Sequence, residues 1–147
     1  MDDLKKKLKG SPSRDIFKHL HKQYMPKQCY GTDLDFVLIA KYPNRIVAFV
    51  DYKGLYDTIT FSETIAYNIL KDIAPVYIIQ SNNPEEGPFT IYQYLNGDPA
   101  PEPPKVKLEL INTFLRWADL KDWESRIRIF KLKKAGEENT GYEKIWR

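Results

Sequence analysis

Residues 31–54 read GTDLDFVLIAKYPNRIVAFVDYKG. Two runs rich in branched and aromatic residues, 34–40 and 46–52, flank Tyr-Pro-Asn. Such runs are strands, and apolar residues on both faces of each fit a sheet covered on both sides. Proline presets its own φ and asparagine tolerates tight geometry, so the intervening tripeptide is a turn. A hairpin centred on Pro43 pairs residues whose numbers sum to about 86. Ile39 then faces Val47, Val37 faces Phe49, Asp35 faces Asp51 and Asp33 faces Lys53. Alternation places all eight side chains on one face. Directly opposed side chains lie roughly 4.5–5.5 Å apart at Cβ, so Asp35 and Asp51 repel unless a positive group sits between them. Hard oxygen donors suit Mg²⁺ or Mn²⁺, for which a few carboxylates plus water suffice. The plain structural alternative is a pair of solvated strand-end acids, with Lys53 paired to Asp33.

Upstream, residues 11–24 (SPSRDIFKHLHKQY) have the pattern of a helix. Ser11 or Ser13 can cap it, Pro12 suits its first turn, and Pro26 ends it near Met25. Residues 27–30 are a candidate short strand. Downstream, residues 62–74 (SETIAYNILKDIA) form a second helix, with Ser62 as the expected cap and Ile65, Ile69 and Ile73 as its apolar stripe. Residues 75–80 (PVYIIQ) and 88–95 (PFTIYQYL) are further strands, joined by a polar loop. Four of residues 95–104 are proline, which predicts an extended linker over 96–104. Residues 105–147 are then expected to be a mainly helical, basic extension. The chain of 147 residues is expected to be one domain, with its core over 11–95. The fold class is α/β (α+β), with a mixed central sheet flanked by helices.

The net charge of +3 conceals a division. Residues 1–30 carry 8 basic and 3 acidic side chains, residues 31–104 carry 4 and 10, and residues 105–147 carry 11 and 7. An acidic middle between basic ends suits a protein that holds cations centrally and phosphates peripherally, although basic ends are also often only solvated. The lone Cys29 rules out an internal disulfide. No apolar run reaches the roughly 18 residues of a membrane span. The opening MDDLKKKLKG lacks the apolar segment of a signal peptide, so the expected setting is intracellular with no membrane partner.

Leu34-Asp35-Phe36-Val37-Leu38-Ile39 and Val50-Asp51-Tyr52-Lys53 together resemble the signature of the PD-(D/E)xK, or restriction endonuclease-like, nuclease superfamily. That signature has an aspartate opening one strand and acid-x-lysine closing the next. The family's core order is helix, three strands, helix, strand, and residues 13–80 can be laid on it without gaps. Leu34 stands where the pattern has proline. Asp35 is the favoured first acid because the apolar run begins immediately after it. The second helix has Tyr67 but no glutamine to match the glutamine-and-tyrosine motif of the recombination nucleases in this superfamily.

The resemblance implies phosphodiester hydrolysis in nucleic acid, DNA first, with Asp35, Asp51 and Lys53 as the catalytic set. Asp35, Asp51 and the Tyr52 carbonyl would hold Mg²⁺ or Mn²⁺. Asp33 or Asp15 is a further candidate acid, and His19 or His21 is a less favoured metal ligand. Basic groups for phosphate contact are Arg14, Lys18 and Lys22, which recur every four residues, and Arg126, Arg128, Lys131, Lys133 and Lys134 near the C-terminus. The alternation in RIRIFKLK fits a strand as well as a helix. Trp117 and Trp123 are expected in the core or in a homodimer contact through the C-terminal extension. No glycine-rich phosphate loop is present. The competing readings are a non-catalytic nucleic-acid-binding or protein-interaction member of the same fold, and an unrelated α/β domain.

Overall fold

The computed structural model describes residues 12–25, 32–41, 44–131 and 143–144. The chain divides into two compact units, Met1–Gly31 and Thr32–Arg147. In the first, α1 (Pro12–Tyr24) starts with proline at its first position, carries Asp15 in its first turn and has His21 and Lys22 in its last. Asp15 and Lys22 complement the helix dipole, and the helix occupies the expected residues. The candidate strand at 27–30 and Cys29 lie outside the described residues.

The second unit is built on a five-stranded mixed sheet in the order β1-β2-β3-β4-β5. Its strands are β1 (Phe36–Ala40), β2 (Arg45–Gly54), β3 (Val76–Ser81), β4 (Phe89–Asp98) and β5 (Lys105–Phe114). Only β2 and β3 pair in parallel; the other neighbours are antiparallel. Parallel neighbours need a crossover, and α2 (Phe61–Leu70) supplies it. After β5 come α3 (Trp117–Ile127) and a two-stranded ribbon of β6 (Phe130–Lys131) with β7 (Glu143–Lys144). Among the described residues no helix is long and apolar enough to cross a membrane.

Two apolar clusters cover the two faces of the sheet. On one, Leu38, Ala48, Val50, Tyr77, Ile79, Phe89 and Ile91 pack with Leu120, Trp123 and Ile127 of α3. On the other, Phe49, Val76, Ile78 and Tyr94 pack with Tyr67 of α2 and Ala74. This is the two-sided burial that the apolar strands required. Burial pushes the Tyr94 phenol up to about 12, with Asp98 adding to the shift. Its hydroxyl donates to Asn68 Oδ1 at 2.6 Å. Gly87 has φ 84° in the loop before β4, and a Cβ there would meet the Phe89 ring at 2.8 Å, so only glycine fits.

Four expectations need correction. Residues 105–114 are a strand, not a helix. Lys105, Lys107 and Glu109 are exposed and alternate with Val106 and Leu108, which pack on the second cluster. The period is therefore two. Residues 96–104 are not all extended linker: Asn96, Gly97 and Asp98 pair with β5, and the prolines form the connection that turns β4 into β5. Thr60, not Ser62, caps α2: its hydroxyl accepts from Glu63 N at 3.2 Å, while Glu63 Oε1 accepts from Thr60 N at 2.9 Å. Such a reciprocal box satisfies two otherwise orphaned donors. Finally, the register shifts between Leu38 and Ile39, so Ile39 pairs with Ile46 rather than Val47. Val47 is the extra residue of a bulge and joins the α3-side cluster.

Ile91 is fully buried at the centre of the α3-side cluster, whereas Leu110 is 60% exposed on β5. Ile91→Ala should cost about 2–5 kcal/mol through lost transfer energy and a residual cavity. Leu110→Ala should stay within about 0.5 kcal/mol. Urea unfolding of both variants checks the assignment of faces.

Candidate active site

Below the bulge-free end of the hairpin the register holds as the sequence predicts: Val37 pairs with Phe49 and Phe36 with Val50. Continuing it brings Asp35, one residue before β1, beside Asp51. The Asp35 N–H donates to Asp51 Oδ1 at 2.7 Å, and the Tyr52 N–H donates to Asp35 Oδ2 at 2.7 Å. Each aspartate thus fixes the other's strand end, and the hairpin mouth cannot slip without breaking both bonds.

Asp51 is 2% exposed, a rare setting for a carboxylate. It projects to the α2 side, where the Tyr67 hydroxyl donates to Asp51 Oδ2. Burial raises the Asp51 carboxyl above its ordinary range. The bonds from Tyr67 and Asp35 N oppose that rise, and the nearby charges of Asp35 and Glu63 add to it. Burial also raises the Tyr67 phenol, and its bond to Asp51 raises it further, so it remains a donor. Tyr52 turns the other way, as alternation demands, and its hydroxyl donates to Ser81 O at 3.1 Å.

Lys53, two residues beyond Asp51, returns to the α2 face. Its Nζ lies 2.5 Å from Glu63 Oε2, and both side chains are largely buried. Glu63 therefore has two tasks. Oε1 closes the helix cap and Oε2 holds the lysine. The sequence reading overlooked Glu63, Thr60 and the bond from Tyr67 to Asp51. The signal was present: T-x-x-E marks a capping box, and residues 63 and 67 are four apart, hence on one helix face.

These groups line a cleft of about 300 Å³ formed by Thr32, Asp33, Asp35, Asp51, Tyr52, Lys53, Thr60 and Glu63. Four carboxylates face one lysine there. As hard oxygen donors they fit a Mg²⁺-type ion, which needs only one or two protein carboxylates and keeps water and substrate oxygens for the rest. Among the described residues no set of three His, Cys, Asp or Glu side chains is gathered closely enough to chelate a metal unaided.

The other candidates belong to other elements. Arg14, Asp15, Lys18, His19, His21 and Lys22 belong to α1, in the other unit. Arg126 lies on α3, which covers the opposite face of the sheet from Asp51, and Arg128 caps its end. Arg126 Nε also donates to Asp122 Oδ2 at 2.9 Å. These two arginines are not gathered with the acids. Lys131 lies in β6, while Lys133 and Lys134 lie outside the described residues. Trp123 is buried against Tyr77, with ring centroids 5.1 Å apart, whereas Trp117 is 53% exposed and its Nε1 donates to Pro84 O at 2.9 Å. No protein-family model, curated protein or solved structure matches the chain.

The raised Asp51 carboxyl has a consequence for stability. Its folded pKa lies above the unfolded value near 3.8, so the native state binds the proton more tightly between the two. The contribution of this group is fully present below the unfolded pKa and is lost as pH rises through the folded pKa. The stability of Asp51→Asn relative to wild type should therefore improve as pH rises from about 4 to 8. Urea unfolding across that range measures the difference; a constant difference refutes the assignment.

Proposed function

We propose that the chain is a metal-dependent nuclease with a restriction endonuclease-like core, hydrolysing phosphodiester bonds in nucleic acid, DNA first. The observation that carries this reading is the convergence of Asp35, Asp51 and Lys53, from the entry to β1 and the end of β2, in one cleft with Glu63. Without a cation, the excess of carboxylates there would repel a phosphate.

Asp35 and Asp51 would hold Mg²⁺ or Mn²⁺, with the Tyr52 carbonyl as a further ligand. When bound, such an ion polarises a phosphoryl oxygen and lowers the pKa of a bound water. The remaining work belongs to the chain. Tyr67 fixes the orientation of Asp51 through its hydroxyl. The Asp35–Tyr52 bond fixes the spacing of the two acids. Lys53 offers a charge beside the site of attack, where it offsets charge developing on the phosphate. Glu63 holds the Lys53 Nζ at 2.5 Å until a phosphate competes for it.

One observation favours a second reading. Lys53 is already engaged by Glu63, and both Asp51 oxygens already accept hydrogen bonds. A non-catalytic nucleic-acid-binding or protein-interaction module could retain this network for its fold alone.

Cleavage of labelled DNA and RNA, single-stranded, duplex and four-way, in Mg²⁺ or Mn²⁺ separates the two. Asp51→Ala should abolish cleavage and metal binding. Lys53→Ala should retain metal binding by calorimetry while losing on the order of 10²-fold or more in rate. Mg²⁺ should raise the thermal midpoint of wild type and leave that of Asp51→Ala unchanged, because a ligand stabilises only the state that binds it. If no substrate is cleaved and calorimetry finds no binding dependent on Asp35 and Asp51, the catalytic reading fails.

A further inference from the structure

The turn that follows Lys53 presents an aromatic ring to solvent. Tyr56 is 90% exposed and its neighbour Leu55 is 46% exposed. The backbone beneath them is pinned. The Gly54 N–H donates to Asp57 Oδ2 at 2.8 Å, and the Asp57 N–H donates to Gly54 O at 3.2 Å. The Leu55 carbonyl accepts from Gln80 Nε2 at 3.4 Å, which ties the turn to β3. Downstream, Thr60 anchors the cap of α2. In the chain Tyr56 stands between two residues that line the cleft, Lys53 and Thr60. In the described structure its ring gains nothing from burial.

Two residues, Gly54 and Leu55, separate Tyr56 from Lys53, so their Cα atoms lie at most about 11 Å apart. Proteins that bind single strands pair positive charge along the backbone with a nearby aromatic ring that takes a base. A phenol ring offers a face on which any base can stack, with no need for sequence reading. In a duplex the bases are already stacked on their own neighbours and paired. An unpaired base is free to move onto the ring.

We infer that Tyr56 is a stacking platform, and that the cleft acts on nucleic acid carrying an unpaired nucleotide next to the scissile phosphate, as in a single strand or flap. This rests on the nuclease reading above and narrows its substrate.

The test uses the full chain with a single-stranded oligodeoxynucleotide containing 2-aminopurine and with the fully paired duplex of the same sequence, in Mg²⁺. Binding is followed by fluorescence for wild type, Tyr56→Ala and Tyr56→Phe. Tyr56→Ala should weaken single-strand binding roughly five- to hundredfold and leave duplex binding unchanged. Tyr56→Phe should bind as wild type, because it keeps the π face. Equal single-strand binding by wild type and Tyr56→Ala overturns the inference, as does an equal loss on duplex. Cleavage measured alongside tells the two failures apart. Cleavage dependent on Asp51 and Lys53 but indifferent to Tyr56 sinks the platform and leaves the nuclease. Binding that needs Tyr56, with no cleavage by wild type, sinks the nuclease and leaves a single-strand-binding surface.

Discussion

The second unit depends on how a buried carboxylate is tolerated at the end of β2. Asp51 is almost inaccessible to solvent, and placing a charge there is costly unless donors meet it. Two do so from different elements, the Asp35 backbone from the entry to β1 and the Tyr67 hydroxyl from α2. The bonds tie the entry to β1, strand β2 and the crossover helix to one side chain. A residue that only stabilised the fold would more simply be apolar at this point, since well-packed hydrophobic groups commonly match or exceed buried polar ones in stability. Its retention beside Asp35, Lys53 and Glu63 is what gives the cleft a chemical reading.

The crossover links fold and site. Because β2 and β3 run parallel, the chain must leave the end of β2, cross the sheet and return to begin β3. The helix making that journey starts close to where β2 ends. Its capping glutamate consequently lies beside the lysine that closes the strand, and one carboxylate serves both the helix terminus and Lys53. One helical turn later Tyr67 reaches Asp51. The motif residues are adjacent in sequence, but their partners come from the first two turns of the next element. The turn between them displays Tyr56 for the same reason: it is the short path from the site to the helix that supports it.

Much of this was readable in the chain, and the errors share a cause. The apolar runs at 36–40, 45–54, 76–81 and 89–98 are strands because branched and aromatic residues pack well on pleated surfaces. The turn chemistry around Pro43 placed the hairpin well enough to bring Asp35 to Asp51. The misreading of 105–114 came from assigning the whole of 105–147 to a mainly helical extension. Ile111 is the extra residue of a bulge between Leu110 and Asn112, and beyond it Phe114 falls on the opposite cluster from Val106 and Leu108, so strict alternation is lost midway. A bulge inserts one residue, and local pattern alone does not reveal that a partner strand will absorb it. The same holds for Val47.

By itself, the sequence determined the class of the sheet, the positions of α1 and of four of the five main strands, and the pairing of Asp35 with Asp51. Those follow from periodicity and turn geometry, which act over a few residues. Only the tertiary structure decided that Glu63 holds Lys53, that Tyr67 holds Asp51, and that Arg126 lies across the sheet from the acids. Those relations depend on which face of the sheet each helix covers, and that is set by long-range packing of two apolar clusters rather than by local pattern.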